Sequence, residues 1–323
     1  MDYNIYKNLS SKYKDYNVEQ IESGASKRKF YRFYNDSDSI VYIDSINEEG
    51  EYFNYLKVHE ILSKIDISIP KIFEKDDQKK IILVEDLGKL RYDKVLSKYP
   101  LKDLISNAVK TLIIFNKEIN FNVSFNLPLY KFATFKTEIS EFIDYYCPYI
   151  IKKKVDSKLK EDFFTIWENN YNKIDFKYNS FVHKDFNINN LMHIPNRKNH
   201  RRCGVLDFQN AFWGESCWDL FSLLEDSRVY YDDQYNNDFL NFYFYNTNQN
   251  ETFDNFKTKY YLLNCSRQTR LLGRWIKLYK QFDEKLYLKF IPITKKRLIN
   301  GLLKLGKKDL QKYYSNFIPE LNE

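Results

Sequence analysis

The chain has 323 residues, of which 43% are hydrophobic and 18% are aromatic. This composition supports a large core and two lobes, and it argues against a disordered protein. The formal net charge is +7, from 51 basic and 44 acidic residues, which suits an anionic ligand but does not by itself indicate a nucleic-acid partner.

Signals for membrane insertion or secretion are lacking in the sequence. No apolar run approaches the ~20 residues that a membrane span needs, and the polar segment 1–16 lacks the apolar core of a signal peptide. The cysteines show no C-x-x-C spacing, so no zinc or redox motif is visible; they are Cys147, Cys203, Cys217 and Cys265. We therefore expect a cytoplasmic protein with reduced thiols and no membrane partner.

The N-terminal part predicts short strands and one central helix. Met1 to Gln20 is predicted as a helical lead-in. Residues 51–65 carry apolar side chains at helical spacing, including Tyr52, Tyr55 and Leu62, which predicts a helix. Strands are predicted at 30–34, 39–43, 71–74 and 81–84, with polar turns inside each pair.

After Gly88 the pattern becomes mostly helical. Residues 101–115 carry apolar side chains on one face, and residues 253–282 predict a second, longer helix. The predicted fold class is therefore α+β. It has a small strand-rich N-terminal lobe, residues 1–88, and a larger, mostly helical C-terminal lobe, residues 89–323.

The most specific chemical pattern lies in the C-terminal lobe. His183, Asp185 and Asn190 follow H-x-D-x4-N, and Asp207 comes seventeen residues after Asn190, behind a short apolar run. This is the spacing of the kinase catalytic loop and of the metal-binding D-F-G element. Each motif alone occurs often by chance, but the combination indicates a phosphotransferase with a bilobal, protein-kinase-like fold.

Phosphoryl transfer gives each of these residues a role. Asp185 would orient the attacking hydroxyl and accept its proton, while Asn190 and Asp207 would hold Mg²⁺ on the phosphates. His183 is expected to support the loop from below. Asp219 stands at the predicted start of a helix, where its carboxylate would either cap the helix or hold backbone amides of the catalytic loop.

Two stretches carry a resemblance to a known family. They are V-H-K-D-F-N-I-N-N-L-M at 182–192 and G-V-L-D-F-Q-N-A-F-W-G-E-S-C-W-D-L-F-S-L-L-E-D at 204–226. Both resemble the aminoglycoside phosphotransferase and choline kinase superfamily. Residues 24–32 also resemble its G-x-A-S-x-R-x-Y-x-R loop, and residues 84–88 resemble its L-x-E-D-L-G hinge, so the similarity covers most of the chain.

Within that superfamily, the chain is most similar to the bacterial kinases that phosphorylate the anomeric hydroxyl of N-acetylmuramate and N-acetylglucosamine. Three features favour this branch: Gln209 directly after Asp207 and Phe208, the A-x-x-G step at 211–214, and the D-L-x-S-L-L-x-D run at 219–226.

The loop after Gly24 is predicted to cover the phosphates of ATP. Its backbone N–H groups and the side chains of Ser26, Lys27, Arg28 and Lys29 would face anionic oxygens, although a basic surface turn would have the same sequence character. The hinge backbone from Glu85 to Leu87 would hydrogen-bond adenine, unless this segment is an ordinary strand end.

One expected cation is missing from the first lobe. The strand at 40–43 contains no lysine where the kinase V-A-I-K motif would place one. The resemblance implies that the anomeric sugar kinases share this absence. Three residues are left as candidates for binding the α- and β-phosphates: Arg28, Lys29 and Arg32.

The helix at 253–282 offers a candidate surface for the acceptor. Arg267, Arg270 and Arg274 are three and four residues apart, so they share one helix face. This segment resembles the family's Q-R-x-x-K-x-L-G helix. The arginines would bind an anionic group such as the lactyl carboxylate of N-acetylmuramate; a solvated charged face is the alternative.

These observations favour a monomeric, cytoplasmic kinase that uses ATP and Mg²⁺ to phosphorylate a small-molecule sugar in cell-wall recycling, without nucleic-acid or membrane partners. An aminoglycoside or other hydroxyl kinase of the same fold is an alternative. A nucleotide-binding pseudokinase that acts as a regulator is an alternative of another class.

Overall fold

The computed structural model describes residues 13, 15–22, 26–120, 127–152, 154–229, 233–283 and 285–322. An antiparallel sheet forms the N-terminal part, and helices dominate the rest of the chain. The prediction of a bilobal, protein-kinase-like α+β fold is therefore confirmed. The boundary between the lobes at residue 88 stays a prediction.

The N-terminal sheet has five strands in the spatial order β1-β2-β3-β5-β4. The strands are β1 (Asn17–Ile21), β2 (Lys29–Tyr34), β3 (Ser39–Asp44), β4 (Ile72–Asp76) and β5 (Ile81–Glu85). One helix, α1 (Glu49–Leu62), connects β3 to β4. The four predicted strands and the predicted helix are confirmed, with ends that shift by a few residues.

The helical lead-in predicted for residues 1–20 is wrong at its C-terminal end. Residues 17–21 form β1 and pair antiparallel with β2, with Val18 opposite Phe33. Pairing with the edge of the sheet gives the backbone N–H and C=O groups of this segment hydrogen-bond partners. A helix of so few residues would be only marginally stable. Residues 1–12 and 14 lie outside the described residues.

The two faces of the sheet bury different residues, because side chains alternate along a strand. Ile82 and Val84 of β5 face the main core with Tyr55 of α1. Ile81 and Leu83 face the other side and form a small separate cluster. That cluster also contains Tyr13, Phe33, Ile40 and Tyr42.

The C-terminal part contains ten helices among the described residues. They are α2 (Tyr92–Val95), α3 (Leu101–Glu118), α4 (Phe132–Glu141), α5 (Cys147–Ile151), α6 (Ser157–Tyr171), α7 (Trp218–Leu224), α8 (Asp233–Tyr245), α9 (Phe253–Phe282), α10 (Ile291–Leu305) and α11 (Lys308–Tyr314). A π-helical turn at Phe142–Tyr146 joins α4 to α5. The helices predicted at 101–115 and 253–282 are confirmed.

Two short antiparallel ladders flank the predicted catalytic segment, residues 183–190. The first pairs β6 (Ser180–Val182) with β9 (Phe212–Gly214). The second pairs β7 (Leu191–His193) with β8 (Cys203–Val205). Phe115 of α3 packs edge-on against Phe181 and Phe186, with ring centroids 5.1 and 5.9 Å away. The catalytic segment thus has a rigid aromatic support.

Hydrogen bonds connect the sheet to the second ladder. The backbone N–H of Val205 donates to the Ser68 carbonyl at 2.8 Å, and the Ser68 hydroxyl donates to the Arg201 carbonyl at 2.6 Å. Arg197 pairs with Glu85 at the end of β5, at 2.6 Å. These contacts fix the position of the ladder that leads to Asp207 relative to the sheet.

All four cysteines are buried and unpaired with one another. Within the described parts of the chain, we find no helix that combines the length and the apolar character needed to cross a bilayer.

Gly273 allows α9 to pack directly against the end of α4. A Cβ atom at this position would lie 2.1 Å from the carbonyl carbon and oxygen of Glu141. We predict that Gly273→Ala lowers the free energy of unfolding by about 1–3 kcal/mol, the usual cost of overpacking. Chemical denaturation would measure this change.

Gly50→Ala is the matched control. Gly50 lies in the first turn of α1, and nothing would approach its added Cβ within 4 Å. Alanine there should be neutral or stabilise by up to about 1 kcal/mol. Equal stabilities for the two variants would show that the close approach at Gly273 does not constrain the fold.

Candidate active site

The catalytic loop begins at His183, and a buried carboxylate holds it in place. Asp219, the second residue of α7, accepts the backbone N–H groups of His183 at 2.6 Å and of Lys184 at 3.0 Å. Burial raises the pKa of Asp219, whereas the two amide donors, which favour the charged carboxylate, act in the opposite direction. The residue that precedes α7 is Cys217, so Asp219 does not occupy the capping position.

Further contacts fix the loop around Lys184. The His183 Nε2 atom lies 2.8 Å from the Leu206 carbonyl, and the indole N–H of Trp218 donates to the Lys184 carbonyl at 3.3 Å. Lys184 has a positive φ of 83°, a conformation that is costly for a residue with a side chain. The bonds on both sides of this residue stabilise it and orient Asp185.

Asp185 is half-buried, and cations surround its carboxylate. Burial opposes its charge, yet Arg270, Lys184 and Arg267 together hold the pKa of Asp185 below its usual range. The side chain is therefore ionised at neutral pH and can accept a hydrogen bond from a hydroxyl group.

The three residues of the predicted motif come together. The Asn190 side-chain amide donates to the Asp185 carbonyl at 2.9 Å and lies 3.5 Å from Asp207 Oδ2. Asp207 has a positive φ of 61°, and the Gln209 amide donates to its Oδ1 at 2.8 Å. No site role was predicted for Gln209, because this contact depends on the unusual backbone turn at Asp207.

The phosphate loop is only partly described, because Gly24 and Ala25 lie outside the described residues. Ser26 donates to Glu48 at 2.9 Å. Arg28, only 5% exposed, pairs with Asp207 Oδ1 at 2.9 Å. Among the candidate cations, Arg28 therefore contacts the motif directly.

The other candidate cations are placed differently. Lys27 and Lys29 are exposed to solvent. Arg32 forms a short ion pair with Asp86, at 2.5 Å, and a second one with Glu19. It also donates to the Gly88 carbonyl at 3.0 Å. Arg32 thus links β2 to the hinge segment, and most of its N–H donors are already used.

A cleft of about 680 Å³ lies between the sheet and the catalytic segment. The residues that line it include Arg28, Asn190 and Asp207. The hinge segment from Glu85 to Gly88 also lines it. Ligand sites for small molecules and cofactors commonly have volumes of about 300–1,000 Å³, so this cleft is large enough for a nucleotide.

Asn190 and Asp207 fit a magnesium site in which the phosphate groups of the substrate supply the remaining ligands. They offer amide and carboxylate oxygens, and Mg²⁺ is usually bound by one or two carboxylates together with substrate phosphates. Within the described ranges, no group of three or more His, Cys, Asp or Glu side chains is placed to hold a metal alone. The guanidinium of Arg28 beside Asp207 also shows that this position favours positive charge.

The three arginines of α9 do not form one uniform cationic surface. Arg270 pairs with Glu138 at 3.1 Å, and Arg274, which is 41% exposed, pairs with Glu141 at 2.7 Å. Arg267 is buried, and its Nε and Nη1 atoms have no hydrogen-bond partner. No sequence motif indicated that Glu138 of α4 would lie here, because helical periodicity does not reveal which elements pack together.

Comparison with known proteins agrees with this geometry. Residues 153–253 match the family model described as "Phosphotransferase enzyme family". The N-acetylmuramate/N-acetylglucosamine kinase of Neisseria meningitidis is 23% identical over 91% of this chain and 87% of that protein. The protein of the same name from Pseudomonas aeruginosa is 28% identical over 64% of this chain and 59% of its own length.

Solved structures of the same fold cover nearly the whole chain. ADP-bound aminoglycoside phosphotransferase APH(2'')-Ib has a TM-score of 0.62 and 17% identity, covering 91% of this chain and 97% of that one. The choline kinase of Streptococcus pneumoniae has a TM-score of 0.55 and 14% identity, covering 90% and 93%.

The predicted relationship and the predicted class of enzyme are both confirmed. This chain is an enzyme that transfers a phosphoryl group to a hydroxyl acceptor, and it shares the fold of aminoglycoside phosphotransferases and of a choline kinase.

Proposed function

We propose that this protein uses ATP and Mg²⁺ to phosphorylate the anomeric hydroxyl of N-acetylmuramate or N-acetylglucosamine, acting as a cytoplasmic monomer in cell-wall sugar recycling. The meeting of Asp185, Asn190 and Asp207 beside the large cleft carries the proposal. The name of the Neisseria relative, which aligns over most of both chains, supports the choice of sugar.

The cleft supplies the nucleotide side of the reaction. The hinge backbone from Glu85 to Leu87 lines it and would bind adenine, while Ser26 and Arg28 line its phosphate end. Arg28 is the best-placed substitute for the missing strand lysine, because it is buried and already contacts Asp207. Asn190 and Asp207 would hold Mg²⁺, which neutralises charge on the transferring phosphoryl group.

Asp185 supplies the acceptor side of the reaction. Its carboxylate would orient the sugar hydroxyl and accept the proton as the oxygen attacks phosphorus. The surrounding cations hold the pKa of Asp185 low despite its burial, so it is a weak base. A hemiacetal hydroxyl is more acidic than an ordinary alcohol, and such an acceptor suits a weak base.

The charges near Asp185 favour this acceptor over an aminoglycoside. Lys184, Arg267 and Arg270 all act on Asp185, and the nearby Glu138 is already engaged by Arg270. A polycationic antibiotic would be repelled here, whereas the lactyl carboxylate of N-acetylmuramate would be attracted. We therefore keep the face formed by Arg267, Arg270 and Arg274 as the proposed sugar-binding side.

Asp185→Asn should lower turnover by roughly 10²–10⁴-fold, the usual scale for losing a positioned acid–base group. ATP affinity should change little, because this carboxylate serves the acceptor. ADP release and nucleotide titration would measure the two effects. Asp36→Asn, in an exposed turn, is a control that should behave like the unaltered protein. Near-normal turnover of Asp185→Asn would refute the assignment.

Changes at the two metal ligands should differ in severity. Asp207→Ala should abolish Mg²⁺-dependent activity, because a carboxylate ligand is lost. Asn190→Ala should weaken activity and raise the Mg²⁺ concentration needed for half-maximal rate. Magnesium titrations of the initial rate would test both. An unchanged magnesium dependence in Asp207→Ala would mean that the metal lies elsewhere.

Blocking the anomeric oxygen tests which hydroxyl is attacked. N-acetylglucosamine and N-acetylmuramate should both release ADP, whereas their 1-O-methyl glycosides should release none above the background of ATP hydrolysis. Product analysis should find an acid-labile sugar 1-phosphate. Equal activity on the free sugars and their glycosides would mean that another hydroxyl is the acceptor.

A further inference from the structure

A second cavity, of about 210 Å³, lies between α1 and the catalytic loop. Lys57 lines it from α1, and Lys184 lines it from the loop. Segments 127–130 and 209–212 form most of the remaining wall. The cavity is smaller than the range of about 300–1,000 Å³ that is usual for drug-sized ligands. It therefore suits a single sugar ring better than an antibiotic with several rings.

The cavity adjoins both parts of the proposed reaction. Gln209 lines it and also lines the nucleotide cleft, so the two spaces meet at this side chain. The Gln209 amide donates to Asp207, the proposed metal ligand, at 2.8 Å. On the side of the catalytic loop, Lys184 is the chain neighbour of Asp185 and acts on its carboxylate. A ligand in this cavity would therefore lie close to both carboxylates that the reaction needs.

The charge of the lining favours an anionic ligand. Lys57 and Lys184 contribute two positive charges, and none of the described residues that line the cavity is acidic. An anion would be attracted by both ammonium groups, whereas a polycation would be repelled by them. A carboxylate is a suitable partner because each ammonium group can donate a charge-assisted hydrogen bond to one of its oxygens.

Glu138, a carboxylate close to this lining, is engaged by other residues. It accepts a hydrogen bond from the hydroxyl of Tyr130, a lining residue, at 3.0 Å, and it pairs with Arg270 at 3.1 Å. The Nζ atom of Lys184 is 3.9 Å from Glu138, which is too far for a hydrogen bond. The N–H donors of Lys184 are therefore not committed to this carboxylate.

The walls of the cavity are fixed by packing. Tyr130 and Phe212, both in the lining, stack with ring centroids 5.0 Å apart. The backbone N–H of Tyr130 also donates to the Trp213 carbonyl at 3.1 Å. Small-molecule sites commonly combine an apolar and aromatic lining with a few placed polar groups, and this cavity has that character.

The helix that carries Lys57 is held in place as well. Tyr55 of α1 packs on Phe208, with ring centroids 4.7 Å apart, and Val58 is buried where it lines the cavity. Since Phe208 directly follows Asp207, this contact sets the position of α1 relative to the proposed metal site. A binding site that is already formed in this way loses less entropy when its ligand binds.

We propose that this cavity is the acceptor site and that Lys57 and Lys184 bind the lactyl carboxylate of N-acetylmuramate between them. The inference rests on the proposed function, and it adds a residue of the N-terminal part to the sugar-binding side. Because Lys184 and Arg270 both approach Glu138, the cavity lies at the Arg270 end of the arginine face.

Lys57→Gln tests the contact with the carboxylate. N-acetylglucosamine lacks the lactyl group, so it serves as the internal control. The variant should lower kcat/KM for N-acetylmuramate about tenfold to a hundredfold, the scale of one charge-assisted hydrogen bond, and change that for N-acetylglucosamine by less than about threefold. Lys57→Arg should keep most of the activity on N-acetylmuramate, because the positive charge is retained. Rates of ADP release would measure these effects.

Lys64→Gln is the matched control for this charge change. Lys64 lies just beyond the end of α1, is exposed, and pairs with Glu60. This variant should treat both sugars as the unaltered protein does. Lys184→Gln should slow the reaction of both sugars, because Lys184 also acts on Asp185. Lys57 is therefore the residue that decides the question.

A bulky side chain at Thr134 tests whether the sugar enters this cavity. Thr134 is exposed and lines the cavity, and it is not among the described residues that line the nucleotide cleft. Thr134→Trp should raise KM for both sugars about tenfold or more, because the indole occupies space that the ring needs. ATP affinity, measured by nucleotide titration, should not change. Thr137→Trp, at an exposed position further along α4, is the matched control and should leave KM for both sugars unchanged.

The outcomes separate this inference from the proposed function. If both sugars are phosphorylated but Lys57→Gln slows them equally or not at all, the lysines do not bind the carboxylate. Unchanged KM values in a folded Thr134→Trp variant, verified by thermal unfolding, would mean that the acceptor binds elsewhere. Phosphorylation of N-acetylglucosamine alone would overturn the inference and leave the proposed function intact. If the unaltered protein phosphorylates neither sugar, the proposed function falls, and this inference falls with it.

Discussion

The bond between Asp219 and the backbone of the catalytic loop is the contact on which the rest of the site depends. It joins the first turn of α7 to the two residues that precede Asp185. Lys184 has a backbone conformation that costs energy, and an isolated loop would relax away from it. The buried carboxylate offsets that cost by satisfying two amide donors that would otherwise be buried without partners.

The same helix holds the loop through a second side chain. Every residue of α7 is buried, and the indole N–H of Trp218 donates to the Lys184 carbonyl while Asp219 accepts the Lys184 N–H. The first turn of one short buried element therefore fixes the backbone on both sides of Lys184. A shift of α7 would move the loop that carries Asp185.

The sequence predicted the elements with strong periodicity and the residues with a fixed chemical spacing. The long helix α9 begins and ends where its apolar pattern predicted. The strand β1 was missed because its five residues carry little local signal, and its pairing with β2 depends on the completed sheet. Asp185, Asn190 and Asp207 were predicted to act together because phosphoryl transfer would constrain their spacing, and the fold brings them together; their roles stay a prediction.

Contacts between distant segments could not be predicted in the same way. The spacing of Arg267, Arg270 and Arg274 places them on one helix face, but it does not reveal that Glu138 and Glu141 of α4 pair with two of them. Their charges are thus partly neutralised by a helix more than a hundred residues earlier in the chain. A face that would be a general cationic surface in isolation therefore consists of two paired arginines and one buried one, Arg267.

Near the phosphate loop, too, two arginines that look alike in the sequence have different ion-pair partners. Arg28 and Arg32 are four residues apart and look equivalent in the sequence, yet Arg32 is committed to Asp86 and Glu19. Arg28 instead crosses from the sheet to the carboxylate that would bind the metal. Bound magnesium would compete with Arg28 for Asp207. The phosphate oxygens would attract the Arg28 guanidinium. We therefore propose that Arg28, the cation that balances Asp207, takes the place of the lysine that β3 lacks.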